Sequence, residues 1–161
     1  MRICLVNPPI PGEVFEGYQW TNNSYTMQHL GIAYIAAVLQ KNNYIVEIIE
    51  CPGSHIDINK LCEKIKNEKY EIIGISCYFY NYINVLRIAT KIRNELPNSF
   101  IMLGGYMPTL CYKTILGHNK SVDCCVIGEG EFTSLELVNC LKQNTDWRSV
   151  SGIAYREKNE I

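Results

Sequence analysis

Five short apolar runs recur along the chain, from Arg2 to Val6, Tyr44 to Ile49, Glu71 to Ser76, Phe100 to Leu103 and Asp123 to Ile127. Each is nearly continuous in Val, Ile, Leu, Phe and Cys and does not alternate with polar residues. That pattern marks strands covered on both faces, as in a parallel sheet. Amphipathic stretches fill the gaps. From His29 to Lys41 the apolar positions wrap most of the way round, and Ala33, Ala36 and Ala37 permit close approach to a sheet, which predicts a central helix. Asp57 to Asn67 starts on a capping Asp57 and carries a stripe of Ile58, Leu61, Cys62 and Ile65. Tyr82 to Leu96 repeats the stripe with Val85, Ile88, Ala89, Ile92 and Leu96, a fourth helix is expected to open at Pro108, and a fifth runs from about Glu131 to Lys142.

Strands alternating with helices make a βαβ series, and right-handed crossovers leave few topologies for it. The expectation is an α/β, Rossmann-like (flavodoxin-like) doubly wound parallel sheet of five strands in the order 2-1-3-4-5. Residues 1–148 form this domain. Residues 149–161 add a C-terminal strand, SGIAYRE, then a polar turn at Lys158 and Asn159. The chain stops at Ile161, where a hairpin's return strand should begin, so 149–161 is expected to start a linker to a further domain.

Charge and composition narrow the partners. The 161 residues carry 15 Lys+Arg against 16 Asp+Glu, without a basic run, so neither nucleic acid nor an anionic membrane is an expected partner. No apolar stretch approaches the roughly 20 residues that span a bilayer, and MRICLVNPP lacks the features of a signal peptide, which implies a cytoplasmic protein. The eight cysteines lie mostly inside apolar runs such as RICLV, IIGISC and DCCVIG, with no CxxC pair and no CxxxCxxC cluster. They read as reduced, buried thiols, with a site role for Cys77 or Cys51 as the alternative.

In such a sheet ligands bind beyond the carboxyl ends of the strands, so function is sought in the loops after them. The longest, residues 7–28, leaves the first strand through Asn7, Pro8 and Pro9 and carries Tyr18, Trp20 and Tyr25, flat surfaces for a planar ligand or a cover for the core. The third loop, GISCYFYNY, puts the Ser76 hydroxyl at a strand end, followed by Cys77 and Tyr78. The fourth, LGGYMPT, has Gly104 and Gly105 where a ligand could approach the backbone, then Pro108 and Thr109 at a helix start. The fifth, IGEGE, places Gly128 and Gly130 in a tight turn and Glu129 and Glu131 beside a helix N-terminus. There is no GxGxxG after the first strand and no GxxxxGK[ST], which argues against dinucleotide and nucleoside triphosphate binding. Asn7 and Ser76-Cys77 stand where a phosphorylated receiver domain would need acidic residues. His29, His55 and His118 are dispersed, and no catalytic residues are assigned.

Taken together, VNPP (6–9), LGIAYIAAVLQKNNYIVEIIE (30–50), IIGISC (72–77), LGGYMPT (103–109), IGEGE (127–131) and SGIAYRE resemble the N-terminal cobalamin-binding domain of cobalamin-dependent radical S-adenosylmethionine enzymes. The resemblance covers nearly the whole chain. It implies cobalamin as cofactor, with strand ends holding the corrin and a crevice taking the nucleotide tail. Ser76 matches the Ser of the family's SxL-type loop, although Tyr78 stands where Leu would be. Gly104 and Gly105 match the GG that makes room for the tail, and Gly128, Glu129 and Gly130 match the turn at the last strand. The resemblance also implies a radical SAM barrel in the same parent chain, with a [4Fe-4S] cluster and S-adenosylmethionine; these 161 residues hold no CxxxCxxC and alone should perform no radical chemistry.

Relatives that ligate cobalt through a DxHxxG His set a further expectation. Aligning Gly31 with that Gly puts Thr26 and Gln28 at the Asp and His positions, with His29 one residue out of register. The resemblance therefore implies base-off cobalamin without a His-cobalt bond, and His29 reads as a helix-start residue. The parent's reaction would be methyl transfer or a related cyclisation. The competing readings are a degenerate domain of the same fold that serves as an interaction or docking module without cofactor, and a stand-alone corrinoid shuttle.

Overall fold

The computed structural model describes residues 1–9, 29–54, 56–158 and 160–161. The aromatic residues Tyr18, Trp20 and Tyr25, together with His55 and Asn159, lie outside the described residues. Six strands form one sheet: β1 (Arg2–Asn7), β2 (Ile45–Glu50), β3 (Ile72–Ser76), β4 (Phe100–Gly104), β5 (Cys124–Val126) and β6 (Ile153–Tyr155), in the order β2-β1-β3-β4-β5-β6. The first five pair in parallel, in the expected order, and β6 adds to β5 antiparallel, with Cys125 opposite Ala154.

The helices are α1 (Leu30–Lys41), α2 (Cys51–Ser54), α3 (Ile58–Glu68), α4 (Tyr82–Glu95), α5 (Tyr106–His118) and α6 (Glu131–Gln143). Asp57 caps α3 as expected, its Oδ1 accepting from the backbone N–H groups of Asn59 and Lys60 at 2.8 and 2.9 Å. Two details differ from the sequence reading. The single turn α2 follows β2 directly, and α5 begins at Tyr106 rather than at Pro108. Gly105, at φ 105°, turns the chain straight from β4 into α5. Pro108 then falls third in the helix, where its missing N–H costs nothing because first-turn N–H groups have no intrahelical partner.

Side chains of alternate strand residues divide into two apolar layers. Cys4, Val6, Ile73, Ile75, Ile101, Leu103 and Cys125 pack under α3, α4 and α5. Ile3, Leu5, Ile72, Met102, Cys124 and Val126 pack under α1 and α6. The β6 end of the chain is tied to this body through Tyr155 and Arg156. Trp147 sits edge-on between Phe100 and Tyr155, at ring-centroid distances of 5.0 and 5.4 Å. The Arg156 guanidinium donates to the carbonyls of Leu116 at 2.6 Å and Val122 at 2.7 Å, clamping the carboxyl end of α5 and the approach to β5.

Candidate functional site

Because β1 lies between β2 and β3, the chain leaves β1 over one face of the sheet, through α1, and returns from β2 over the other, through α3. A crevice opens at the carboxyl ends of the strands on the α1/α6 face, with a volume of about 360 Å³. Its floor is Leu5, Gly74, Met102 and Val126 of the sheet, and its sides are Ile32 and Ile35 of α1, Ser134 of α6 and Gly130 at the N-cap of α6. The polar groups gather at the mouth. Such an apolar slot with a few convergent polar groups suits a planar, amphipathic ligand.

The glycines of this region do different jobs. A Cβ on Gly104 would meet nothing within 4 Å, so its missing side chain is open crevice. A Cβ on Gly105 would lie 2.9 Å from the Cys77 carbonyl oxygen, on a residue already at φ 105°, so this glycine lets the β3 and β4 ends approach. There the Cys77 N–H donates to Gly104 O at 2.8 Å and the Met107 N–H donates to Cys77 O at 3.1 Å. Gly74 interrupts β3 where Leu5 and Met102 close in, at 2.7 and 3.0 Å from its would-be Cβ. Gly130 similarly accommodates Ile35.

The fold brings Ser76, Tyr78, Gly104, Gly105, Thr109, Gly128, Glu129, Gly130 and Glu131, all expected from sequence, to one crevice. Thr109 links two loops, its hydroxyl donating to Gly105 O at 2.9 Å and accepting from Gly128 N at 3.0 Å. Asn7, Pro8, Pro9, Cys77 and Pro108 do not line it. The Asn7 side chain turns to β2 and donates to Glu50 Oε2 at 2.7 Å. The Cys77 side chain packs in the opposite apolar layer, and burial pushes its thiol up to about 12. Burial likewise pushes Cys51 up to about 12, so both thiols stay protonated at neutral pH and neither offers a thiolate. Among the described residues no cluster of three His, Cys, Asp or Glu could hold a metal ion, and no helix is long and apolar enough to cross a membrane.

Sequence reasoning missed the residue at the centre of the mouth. His29 does start α1, as expected, but its ring faces the crevice: Nε2 lies 2.8 Å from Ser76 Oγ and 3.1 Å from Tyr78 Oη. Its Nδ1 accepts the Ile32 N–H at 3.3 Å as the helix cap, and its own N–H lies 3.4 Å from Glu50 Oε1. Tyr78 in turn stacks on Tyr80, with ring centroids 5.5 Å apart and 9° between planes. The floor residue Gly74 was legible in principle, as a glycine in the middle of an apolar strand. Tyr106, which lines the crevice, is exposed, as are Leu30, Tyr34, Phe79, Tyr80, Leu110 and Phe132 elsewhere on the surface.

A doubly wound α/β domain with its crevice at the switch point between β1 and β3 is a ligand-binding fold. Residues 21–138 match the family model described as B12 binding domain, and the chain belongs to that family. It is 26% identical over 161 residues to an uncharacterized methyltransferase of Pyrococcus horikoshii, covering 100% of this chain and 34% of that protein. It is 28% identical over 165 residues to an anaerobic magnesium-protoporphyrin IX monomethyl ester cyclase of Synechocystis, covering 100% of this chain and 32% of the cyclase. The chain thus spans about a third of the length of these relatives. Among solved structures, the cobalamin-dependent S-adenosylmethionine radical enzyme OxsB with aqua-cobalamin bound superposes with a TM-score of 0.82 at 23% identity, over 99% of this chain and 21% of OxsB. The radical S-adenosylmethionine methyltransferase TsrM of Kitasatospora setae, with cobalamin and a [4Fe-4S] cluster bound, gives 0.75 at 16% identity, over 99% of this chain and 29% of TsrM. At these identities the two structures bear on the fold.

Proposed function

We propose that this cobalamin-binding domain presents base-off cobalamin to a radical S-adenosylmethionine barrel in the same parent protein, in the cytoplasm, for methyl transfer or a related cyclisation. The observation that carries the reading is Gly104. It ends a central strand and leaves open space in an apolar slot that is walled by α1 and α6 and fringed by hydroxyls. That shape fits the flat, largely apolar base and polar sugar-phosphate of cobalamin's nucleotide tail. Ser76, Tyr78, Gly104, Gly105, Thr109, Gly128, Glu129, Gly130 and Glu131 would hold the cofactor. Asn7, Pro8, Pro9, Cys77 and Pro108 would shape the strand ends and loops behind them.

The bound cofactor supplies a cobalt centre for carrying a methyl group or an electron. The chain's part would be to bury the tail and leave the corrin on the surface beside the exposed Tyr106, against which the rest of the parent would close. Absence of a His-cobalt bond is supported by His29, whose two ring nitrogens are both engaged by protein groups. The [4Fe-4S] cluster and S-adenosylmethionine would belong to the barrel.

The test is an ultraviolet-visible titration with hydroxocobalamin followed by removal of free ligand. Retention of one equivalent, with a base-off spectrum unchanged in His29→Ala, is expected. A folded chain that retains no corrinoid would overturn the reading in favour of an interaction module.

A further inference from the structure

We propose that Ser134 is a specificity-determining residue. Its hydroxyl, at the inner end of the crevice, selects corrinoids whose lower base carries a polar group on its six-membered ring over those, such as cobalamin, that carry two methyl groups there. This inference rests on the cobalamin reading above and deepens it.

Ser134 interrupts the apolar stripe of its own helix. The buried side of α6 carries Ser134, Leu137 and Val138, and an apolar residue at the first position would complete the stripe. A hydroxyl stands there instead. Hydroxyls inside helices commonly donate to the carbonyl four residues back, as Thr90 does to Leu86 O and Thr109 to Gly105 O, each at 2.9 Å. The corresponding carbonyl, Gly130 O, takes the Ser134 backbone N–H at 2.8 Å. Of the buried polar side chains, Ser76, Asn81, Ser99 and Asn119 each form a hydrogen bond within the protein, whereas among the described residues the Ser134 hydroxyl forms none. Ser134 is only 1% exposed. Among the described residues the sealed, unpaired side-chain polar atom is Asn81 Nδ2, so the Ser134 hydroxyl, unpaired but not sealed, opens onto the crevice that the residue lines.

The level of that hydroxyl follows from helix and strand geometry. Ser134 lies four residues past the N-cap Gly130, about 6 Å along the helix axis. Gly74 and Met102 lie two residues before the strand ends Ser76 and Gly104, roughly 7 Å below them. The chain beyond α6 reaches Phe100 at the amino end of β4 through Trp147, so helix and strands run in opposite directions and these residues share one depth. The lining there is Leu5, Met102, Val126, Ile32 and Ile35. The other polar side chains of the crevice, His29, Ser76, Tyr78, Thr109, Glu129 and Glu131, belong to strand ends, loops and first helical turns at the mouth. In the free chain, water serves the Ser134 hydroxyl. A base that fills the slot expels that water, and the hydroxyl then finds its partner on the ligand or is left without one. An amino or hydroxyl group on the six-membered ring supplies the partner; two methyl groups do not.

The test compares binding of cobalamin with that of the cobamide whose lower base is 5-hydroxybenzimidazole, which differs only in the substituents of the six-membered ring. Absorbance titrations of the wild-type chain should show the hydroxylated cobamide binding about tenfold more tightly. Ser134→Ala removes the hydroxyl, nearly keeps the volume and raises helix propensity, so the thermal midpoint should hold. It should weaken the hydroxylated cobamide, tighten cobalamin and bring the ratio to one or below. The cobamide of unsubstituted benzimidazole separates hydrogen bonding from size, and the wild-type chain should prefer the hydroxylated compound to this one as well. Equal binding of those two would show that the slot reads size alone and overturns the inference. A wild-type ratio to cobalamin near one, or a preference that Ser134→Ala leaves unchanged, also overturns it and leaves the cobalamin reading standing. Failure of the wild-type chain to bind any of the three overturns both.

Discussion

The two faces of the sheet are built from alternate residues of the same strands, yet one is filled and the other is opened. Under α3, α4 and α5 the layer is continuous: Ile73, Ile75, Ile101 and Leu103 are within 2% of complete burial and interlock with Leu61, Ile65, Val85, Ile88 and Ile92. Under α1 and α6 the packing starts in the same way, from Ile3, Leu39 and Leu137, then opens toward the carboxyl end, where Gly104 leaves space and Gly74 and Gly130 line the slot with Leu5, Met102 and Ile35 packed against them. A cavity in a protein interior forfeits van der Waals contacts and is not tolerated without return. The filled face therefore bears the stability, and the opened face spends some of it on a slot for a ligand.

Substitutions can break or sharpen this division. Ile101→Ala on the filled face should cost about 2–5 kcal/mol of folding stability, read as a lower urea midpoint, while the folded fraction keeps its corrinoid affinity. Gly104→Leu on the opened face should do the reverse. Affinity should fall about a hundredfold, equivalent to about 2.7 kcal/mol, with little change in stability, because the side chain would enter open space. An unchanged affinity would show that the slot is not the binding site. Gly105→Ala, one residue on, should destabilise the fold by about 1–3 kcal/mol through its positive φ and the Cys77 carbonyl, a loss visible before any ligand is added.

The smallest effect belongs to the helix cap of α3 on the filled face. The backbone N–H groups of Lys60 and Asn59 hold the Asp57 carboxyl below its usual range. Its folded value is depressed, so its contribution is present above the unfolded value near pH 4 and is lost as the pH falls through the folded value. Asp57→Ala should flatten the acid limb of the stability profile in that window and leave corrinoid binding untouched.

Much of this site could be read before the fold was known, for a specific reason. Ser76, Gly104, Gly128 and Glu129 stand at the carboxyl ends of apolar runs, and a parallel sheet gathers such ends to one edge whatever their order. Gly104 and Gly105 look alike in sequence. They separate only once the β3 end is seen to press on one and not on the other. Asn7 and Cys77 show the converse. Both end or follow a strand, but one side chain is taken by Glu50 and the other points into the opposite layer.

The sequence by itself determined the strands, the helices and their alternation, because each depends on apolar spacing within a window of some ten residues, and chirality then restricted the topology. The tertiary structure alone decided which side chains meet. His29 and Ser76 are 47 residues apart and touch because α1 starts beside the end of β3, across the switch point. Ser76 lies level with Gly104 because of the register of two parallel strands. Those are long-range packing choices, made by the whole core at once, and no local pattern carries them.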